Sequence, residues 1–239
     1  KKEIMKIVAM IPARLGSKRV PKKNLRLLNG RPLISYNIET AVKSGLFDEV
    51  YVNSEAEIFS EIAAKYGAKF YKRPEIYSTN KATNDHFTLD FMNNIDGEIL
   101  IQILPTSPMI SVKEVTDFTN EMINNNWDSL ISVEYKQIAC VYKNRSVNFD
   151  KLKINPPSQK MEPVKAYATV LMGWKYSTFI SDMKQYGAAY HGGNGKTGYY
   201  VLRGLSTIDI DREEDFQLAE RIILSMKNQE ELKKGYYGK

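Results

Sequence analysis

The chain has 239 residues, of which 43% are hydrophobic and 26% charged, so its composition excludes a disordered, collagen-like or fibrous protein. We expect a single domain, 1–239, whose folding buries roughly 70–75% of the surface of the unfolded chain. The chain contains one cysteine, Cys140, and two histidines, His86 and His191. These low counts argue against disulfides, a Cys/His zinc site and a serine–histidine hydrolase. This cysteine usage predicts a cytoplasmic location.

The net charge of +6, with an isoelectric point of about 9.1, favours a polyanionic partner such as nucleic acid, an acidic membrane surface or a phosphate-bearing substrate. No apolar run approaches the ~20 residues of a membrane-spanning helix. The apolar run after Lys1 and Lys2 is too short for a signal peptide. We therefore expect a protein that neither spans a membrane nor is exported.

Short buried strands alternate with amphipathic helices along the first half of the chain. The predicted elements are strand Ile4–Ile11, helix Leu33–Ser44, strand Glu49–Asn53, helix Ala56–Tyr66, strand Lys69–Tyr71, helix Thr83–Asn94, strand Glu98–Leu104, helix Val112–Asn124 and strand Ser129–Glu134. Strands separated by helices of this length predict right-handed crossovers. The fold class is therefore α/β, with a doubly wound, mostly parallel sheet and helices on both faces.

The alternation stops beyond Tyr135. Residues 136–165 are polar and contain Pro156 and Pro157, so we predict an excursion from the domain, a hairpin or a dimerisation arm. The remaining predicted elements are strands Ala166–Met172, Tyr199–Arg203 and Thr207–Ile210 and a C-terminal helix, Glu213–Lys227.

The loop after the first predicted strand carries an unusual density of positive charge. Its basic residues, all within thirteen positions, are Arg14, Lys18, Arg19, Lys22, Lys23 and Arg26. Parallel sheets bind ligands at the carboxyl ends of their strands, and Gly16 would let backbone N–H groups turn toward an anion. A triphosphate, with about four charges, suits such a loop; the alternative is a solvated loop without a ligand.

The loop matches neither a Walker motif nor G-x-G-x-x-G. The segment His191–Thr197 ends in Gly-Lys-Thr, but Tyr190 stands where a Walker motif has its first glycine. We expect a surface loop there, or a lid over a substrate.

Asp209 and Asp211 form a candidate magnesium site. In a strand, residues two apart project from one face, and Mg²⁺ typically takes one or two carboxylates together with the phosphates of its substrate. The alternative is an acidic start to the last helix, with Asp211 as its cap.

Two more polar segments follow predicted strands. Arg73 with 78–85 could bind a ribose, a base or a phosphate, or could simply form a turn and a helix cap at Thr83. Thr106 and Ser107 could face a substrate, or could belong to a proline-rich strand exit before a helix capped at Ser111.

Five motifs in chain order carry a resemblance to a known family: Ile11–Asn24 (IPARLGSKRVPKKN), Asn29–Leu33 (NGRPL), Arg73–Glu75 (RPE), Pro105–Pro108 (PTSP) and Ile208–Asp211 (IDID). They resemble the CMP-sialic acid synthetases, or acylneuraminate cytidylyltransferases, nearly end to end. The resemblance implies a Rossmann-like nucleotidyltransferase fold, CTP and a small anionic acceptor as substrates, Mg²⁺ as cofactor and a homodimer.

The resemblance also implies roles by position. Nucleotide binding falls to Ala13, Arg14, Lys23, Asn24, Arg73, Ala82 and Thr83. Catalytic roles fall to Arg14, Lys18, Lys23 and Asp211, and metal binding to Asp209 and Asp211. Acceptor binding falls to Gln102, Leu104, Thr106, Ser107, Lys143, Lys165 and Tyr167, with Lys143 and Lys165 reaching a neighbouring subunit's pocket.

Some positions that the resemblance assigns to acceptor binding depart from the family pattern. Leu104 stands where the family usually has glutamine, and 165–168 read Lys-Ala-Tyr-Ala in place of Arg-Pro-Asn-Gly. We therefore predict CMP transfer from CTP to a nonulosonic acid-like sugar. The departures favour an acceptor other than N-acetylneuraminate.

Two alternatives stay open. One is a cytidylyltransferase for Kdo or for a phosphonate or phosphate acceptor, although Kdo enzymes tend to carry an aspartate where this chain has Thr106 and Ser107. The other is a non-catalytic protein that binds a polyanion such as RNA. Because the basic residues concentrate at one strand exit rather than in a stripe with interleaved aromatics, we expect no nucleic-acid partner.

Overall fold

The computed structural model describes residues 5–79 and 81–228, so the predicted strand start at Ile4 lies outside the described residues. The apolar runs form a seven-stranded sheet whose strands are β1 Ile7–Pro12, β2 Glu49–Ser54, β3 Lys69–Lys72, β4 Ile99–Ile103, β5 Ser129–Lys136, β6 Val164–Lys175 and β7 Thr197–Val201. Their order is β7-β5-β6-β4-β1-β2-β3. All neighbours pair in parallel except β6, which runs antiparallel to β4 and β5. The mostly parallel α/β prediction is confirmed.

Residues 5–79 and 81–228 contain six α-helices: α1 Leu33–Ser44, α2 Ile58–Lys65, α3 Asn84–Asn94, α4 Val112–Asn124, α5 Tyr176–Tyr186 and α6 Glu213–Asn228. Helices α1, α2 and α4 pack on one face of the sheet, and α3 and α5 on the other. The bounds of α1 and α4 agree with prediction because local signals mark their ends. Gly45 ends α1 in the left-handed region, with φ of 64°. Ser111 and Glu114 form a capping box at the start of α4.

Alternate residues of β1 point into two separate cores. Ile7, Ala9 and Ile11 join the core beneath the first face, and Val8 and Met10 join the other. The first core includes Ile38 of α1, Phe59 of α2 and Phe118 of α4. The second includes Phe91 of α3, Trp174 of β6 and Phe179 of α5. Burial on both faces explains why β1 reads as a continuous apolar run.

Two predictions in the second half of the chain differ from the structure. Residues 207–210 do not form a strand: Gly204–Thr207 is a short 3-10 turn, and the extended residues after it have no partner strand. Helix α5 was not predicted, because it continues β6 at Tyr176 with no intervening glycine or proline.

The chain leaves the sheet between β5 and β6, within 136–165. Val141–Tyr142 pair with Arg145–Ser146 in a small hairpin. The Asn148 side chain connects the two ends of this segment, since its Nδ2 donates to the carbonyls of Ile138 and Glu162, each at 2.9 Å. Among residues 5–79 and 81–228, no helix is long and apolar enough to cross a membrane.

Helix α6 lies against the basic loop. Phe216 is buried with Val20 and Leu28, and the Arg26 guanidinium lies 3.9 Å from the centre of the Phe216 ring. Arg26 Nη2 also donates to Glu213 Oε1 at 2.8 Å. The loop and the start of α6 are thus joined by both apolar and charged contacts.

The Glu213–Arg26 contact predicts a pH-dependent contribution to stability. The hydrogen bond from Arg26 lowers the pKa of Glu213 from 4.5 to about 2. A depressed carboxyl pKa stabilises the fold above the unfolded-state pKa, and this contribution disappears as pH falls through the folded-state value. We expect Glu213→Gln to lower the melting temperature near neutral pH, and the difference from wild type to shrink below about pH 4.5. Thermal denaturation across this range measures it; a difference independent of pH would contradict the assignment.

Gln102 is an unpaired polar residue in the second core. It lies on β4 between Met10 and Met172, is fully buried, and its amide nitrogen and oxygen both lack hydrogen-bond partners within the described residues. Leaving such groups unpaired costs about 1–3 kcal/mol.

Replacing this amide with an apolar side chain of similar volume should therefore stabilise the fold. We expect Gln102→Met to raise the free energy of unfolding by about 1–3 kcal/mol, measured by urea denaturation. The control Gln102→Ala should lower it, because it leaves a cavity. A destabilised Met variant would show that the amide is hydrogen-bonded in solution.

Candidate active site

A cleft of about 570 Å³ opens at the carboxyl ends of β1, β3 and β4. This edge is where the winding of the sheet reverses on either side of β1, the usual place for a ligand in such folds. The predicted site residues that line it are Ala13, Arg14, Lys18, Lys23, Asn24, Arg73, Ala82, Leu104, Thr106 and Asp211. Loops distant in sequence thus meet in one place.

Other predicted site residues are not among those lining the cleft. Thr83 caps α3, with its backbone N–H donating to His86 Nδ1 at 3.2 Å. Gln102 and Ser107 are buried, and Asp209 lies beside Thr106. Lys143 lies in the hairpin of the excursion, and Lys165 and Tyr167 lie on β6. The nucleotide-binding predictions converge more than the acceptor-binding ones.

The basic loop starts as an extension of the sheet. Ala13 N–H donates to the carbonyl of Asn53 at 2.9 Å, after which Arg14 and Lys18 are exposed at the cleft. The left-handed residue of the loop is Lys22, with φ of 49°, and not Gly16. The chain does turn at Gly16, where Ser17 N–H donates to the carbonyl of Leu15 at 3.0 Å.

Lys23 is turned inward from this loop, and its side chain is only 12% exposed. Its ammonium donates to the carbonyl of Ile210 and lies 3.7 Å from Asp211. Burial lowers the pKa of Lys23, while the charges of Asp209 and Asp211 act in the opposite direction. The side chain thus places a buried positive charge on the wall of the cleft.

Asp209 and Asp211 lie on an extended segment that is fastened to the loop after β4. Ile210 N–H donates to the carbonyl of Thr106 at 2.8 Å. Burial raises the pKa of Asp209, partly offset by a hydrogen bond with Thr106. Asp211 Oδ1 lies 2.9 Å from Arg19 Nη2. The two carboxylates are therefore held by backbone pairing with a loop, in place of the strand pleat that the sequence predicted.

The start of α6 is held by Asp215, the third residue of the helix, whose side chain reaches back to the chain before it. Asp215 Oδ2 accepts hydrogen bonds from the backbone N–H groups of Asp211 and Arg212, at 3.0 and 2.8 Å. This corrects the alternative in which Asp211 caps the helix, and leaves its carboxylate directed toward the basic loop.

The donor set at this segment fits a hard divalent cation. Two carboxylates provide only oxygen ligands, which is what Mg²⁺ prefers. No cluster of three or more His, Cys, Asp or Glu side chains suited to a metal occurs within 5–79 and 81–228. The residues thus suit an ion that takes its other ligands from phosphate and water, rather than one enclosed by protein.

Arg73 lies in the floor of the cleft. Its Nη2 donates to the carbonyl of Ala13 at 2.6 Å and to Glu55 Oε2 at 3.0 Å, and its guanidinium lies 4.9 Å from the ring centre of Phe87. Burial lowers the pKa of Arg73, while Glu55 raises it. Arg73 therefore lines the cleft and also binds Ala13, Glu55 and Phe87 beside it.

Three residues at the cleft were missed by the sequence analysis: Tyr77 and Phe87 on the walls, and Glu55 behind them. Asn84, which also lines the cleft, belongs to the predicted segment 78–85. Glu55 directly follows β2, at the same sheet edge as the basic loop, and this position was the available signal. Tyr77 and Phe87 belong to a 3-10 turn and to α3, where no motif distinguishes them from core residues.

Comparison with known proteins agrees with this geometry. A family model described as "Cytidylyltransferase" matches residues 8–237. The chain is 30% identical over 233 residues to an N-acylneuraminate cytidylyltransferase of Escherichia coli, covering 90% of this chain and 51% of that protein. It is 57% identical over 65 residues to a pseudaminic acid cytidylyltransferase of Campylobacter jejuni, covering 27% of this chain and 28% of that protein.

A solved structure of CMP:2-keto-3-deoxy-manno-octonic acid synthetase in complex with CTP has a similar fold. Its TM-score is 0.71 at 16% identity, over 92% of this chain and 99% of that one. The chain spans about half the length of the N-acylneuraminate cytidylyltransferases it matches. The family model matches residues 8–237, nearly the whole chain, and so confirms the resemblance seen in the motifs: the chain belongs to the cytidylyltransferase family.

Proposed function

We propose that this chain transfers CMP from CTP to an acidic sugar of the nonulosonic acid class and releases pyrophosphate. The observation that supports this most strongly is that one cleft brings Arg14, Lys18 and Lys23 together with Asp211. Such a cleft can hold a triphosphate by its cations and a metal ion by its carboxylate. Membership of the cytidylyltransferase family supports the choice of CTP.

The reaction is an in-line substitution at the α-phosphorus. The acceptor hydroxyl oxygen forms the new bond to phosphorus, the bond to the bridging oxygen of pyrophosphate breaks, and the hydroxyl proton is released. Arg14, Lys18 and Lys23 neutralise the charge that gathers on the departing pyrophosphate. Because Lys23 is buried and already hydrogen-bonded, its charge is in place before the substrate arrives.

Mg²⁺ belongs to the proposal as the cofactor, with Asp209 and Asp211 as its protein ligands. When bound, it would polarise the α-phosphate and acidify the attacking hydroxyl. Arg19 holds Asp211 Oδ1 at 2.9 Å and so keeps that carboxylate directed at the cleft.

Pyrophosphate release tests the proposal directly. Purified chain with CTP and Mg²⁺ should release pyrophosphate with at least one acidic sugar from a panel of N-acetylneuraminate, pseudaminic acid, Kdo and a phosphonate. We expect pseudaminic-type or related nonulosonic acids to be used, since the local identity to the Campylobacter jejuni enzyme is 57%. No release with any acceptor would reject the proposal, and a steep loss of RNA binding with salt would then favour the polyanion-binding alternative.

Substitution of Asp211 tests the metal assignment. We expect Asp211→Asn to lower kcat by about two orders of magnitude or more, because the amide is a poor ligand for Mg²⁺. Binding of CTP without Mg²⁺, measured by calorimetry, should stay nearly unchanged. Glu214→Gln, an exposed neighbour in the first turn of α6, is the matched control. A variant with near wild-type turnover would remove Asp211 from the mechanism.

We further propose that the chain forms a homodimer through the excursion at 136–165. This segment exposes large apolar side chains to solvent, among them Leu152 and Ile154, which are 95% and 96% exposed. Lys143 lies in the turn of the hairpin Val141–Ser146. From there it could reach the acceptor pocket of a partner, with Lys165 and Tyr167 as further acceptor-binding candidates.

The dimer is tested by charge substitution in the excursion. We expect Leu152→Glu with Ile154→Glu to shift the protein from dimer to monomer in sedimentation velocity, with little change in melting temperature because both side chains are exposed. Ile58→Glu, an exposed apolar residue of α2, serves as the control. A wild-type monomer, or an unaffected dimer, would exclude this interface.

The reaction is proposed to take place in the cytoplasm. A single cysteine, Cys140, suits a reducing compartment, because it can form no intrachain disulfide. The substrates in this proposal are small anions, with no nucleic acid or membrane as partner.

A further inference from the structure

We propose that Glu55 is a positioning residue for the nucleotide: it fixes the basic loop on both sides of Arg14 and thereby sets where Arg14 enters the cleft. We call the Glu55 carboxylate and the Arg73 guanidinium that it holds the clamp. The inference rests on the proposed function, since it assigns the clamp a role in CTP binding. Glu55 is not part of any of the motifs that resemble the family.

The two oxygens of the Glu55 carboxylate hold different parts of the loop. Oε1 accepts a hydrogen bond from Leu15 N–H at 2.8 Å, directly after Arg14. Oε2 accepts one from Arg73 Nη2 at 3.0 Å, and the same Nη2 donates to the carbonyl of Ala13 at 2.6 Å, directly before Arg14. The residues on either side of Arg14 are therefore fixed through one carboxylate.

The basic loop has little else to hold its backbone here. Within the described residues, the bond to Leu15 N–H is the one hydrogen bond that joins the backbone of residues 14–19 to another part of the chain. The side chains of Arg14, Leu15 and Lys18 are exposed, so packing does not fix this stretch. Without Glu55, the loop would lose its only backbone anchor between Ala13 and Val20.

The clamp is itself rigid because it is buried. The side chain of Arg73 is 3% exposed and that of Glu55 is 14% exposed. Hydrogen bonds to charged groups are stronger in such surroundings than at an exposed surface. A loop that is ordered before binding avoids the entropy cost of being ordered by the ligand, so the clamp should appear in the affinity for CTP.

Three variants separate this role from a general effect on stability. Glu55→Ala removes both hydrogen bonds. Glu55→Gln keeps an oxygen that can accept from Leu15 N–H but loses the charge that holds Arg73. Glu57→Ala is the control, because Glu57 lies two residues away and pairs with Lys72 at 3.3 Å on the exposed surface.

The first measurement is CTP binding by calorimetry together with steady-state pyrophosphate release. We expect Glu55→Ala to raise the Kd and the KM for CTP about 10- to 100-fold, Glu55→Gln to lie between it and wild type, and Glu57→Ala to match wild type. The KM for the acceptor should not change, because the hydrogen bonds of Glu55 fix the basic loop on both sides of Arg14. A purely structural role would lower the melting temperature without this selective change.

The second measurement is limited proteolysis with trypsin, which needs no substrate. Cleavage after Arg14 and Lys18 should be several-fold faster in Glu55→Ala than in Glu57→Ala, because the loop is released. If Glu55→Ala does not fold, Glu55→Gln carries both measurements.

The outcomes distinguish this inference from the proposed function. A folded Glu55 variant with wild-type CTP affinity and wild-type loop cleavage overturns the clamp. Wild-type protein that binds no CTP overturns the proposed function instead, while faster loop cleavage in the variant would still support the anchoring of the loop.

Discussion

The candidate active-site cleft depends on how the charge of the basic loop is balanced. Six cations within thirteen residues would repel one another if none were paired. Three of them, Arg19, Lys23 and Arg26, are paired with Asp211 or Glu213 at the start of α6. The acidic start of α6 therefore neutralises half of the loop's cations where the two segments meet.

This balance leaves a defined part of the charge for a ligand. Arg14, Lys18 and Lys22 have no ion-pair partner in the part of the chain described, and the first two line the cleft. The overall excess of positive charge gave no reason to choose among nucleic acid, membrane and phosphate ligands. Its concentration at one strand end, opposite a carboxylate, favours a compact polyphosphate.

The sequence predicted the elements whose ends carry local signals and missed those that depend on tertiary pairing. Helices α1 and α4 have a glycine stop and a capping box, and their bounds agreed. The direction of β6 follows from its pairing with β4 and β5, which no property of its apolar run encodes. For the same reason 207–210 has the pattern of a strand but no neighbour to pair with.

The residues of the candidate site also differ in how well the sequence predicted their positions. Most residues predicted to bind the nucleotide come from loops that follow parallel strands, so their convergence could be predicted from topology. Of the acceptor predictions, Leu104 and Thr106 line the cleft. The others lie on the antiparallel β6, on the excursion or in buried positions, as Gln102 does among methionines. Glu55 was missed because a single carboxylate after a strand has no distinguishing pattern.

The bond between Ile210 N–H and the Thr106 carbonyl has a consequence for which substitutions this chain can accept. It joins main-chain atoms, and the Lys23 side chain donates to the main-chain carbonyl of Ile210, so side-chain changes at position 210 leave both contacts possible. The placement of this segment against the loop after β4 therefore does not depend on the side chain at position 210. A point substitution there leaves Asp209 and Asp211 in place, whereas a deletion or insertion beside Asp209 would shift both carboxylates relative to the cleft.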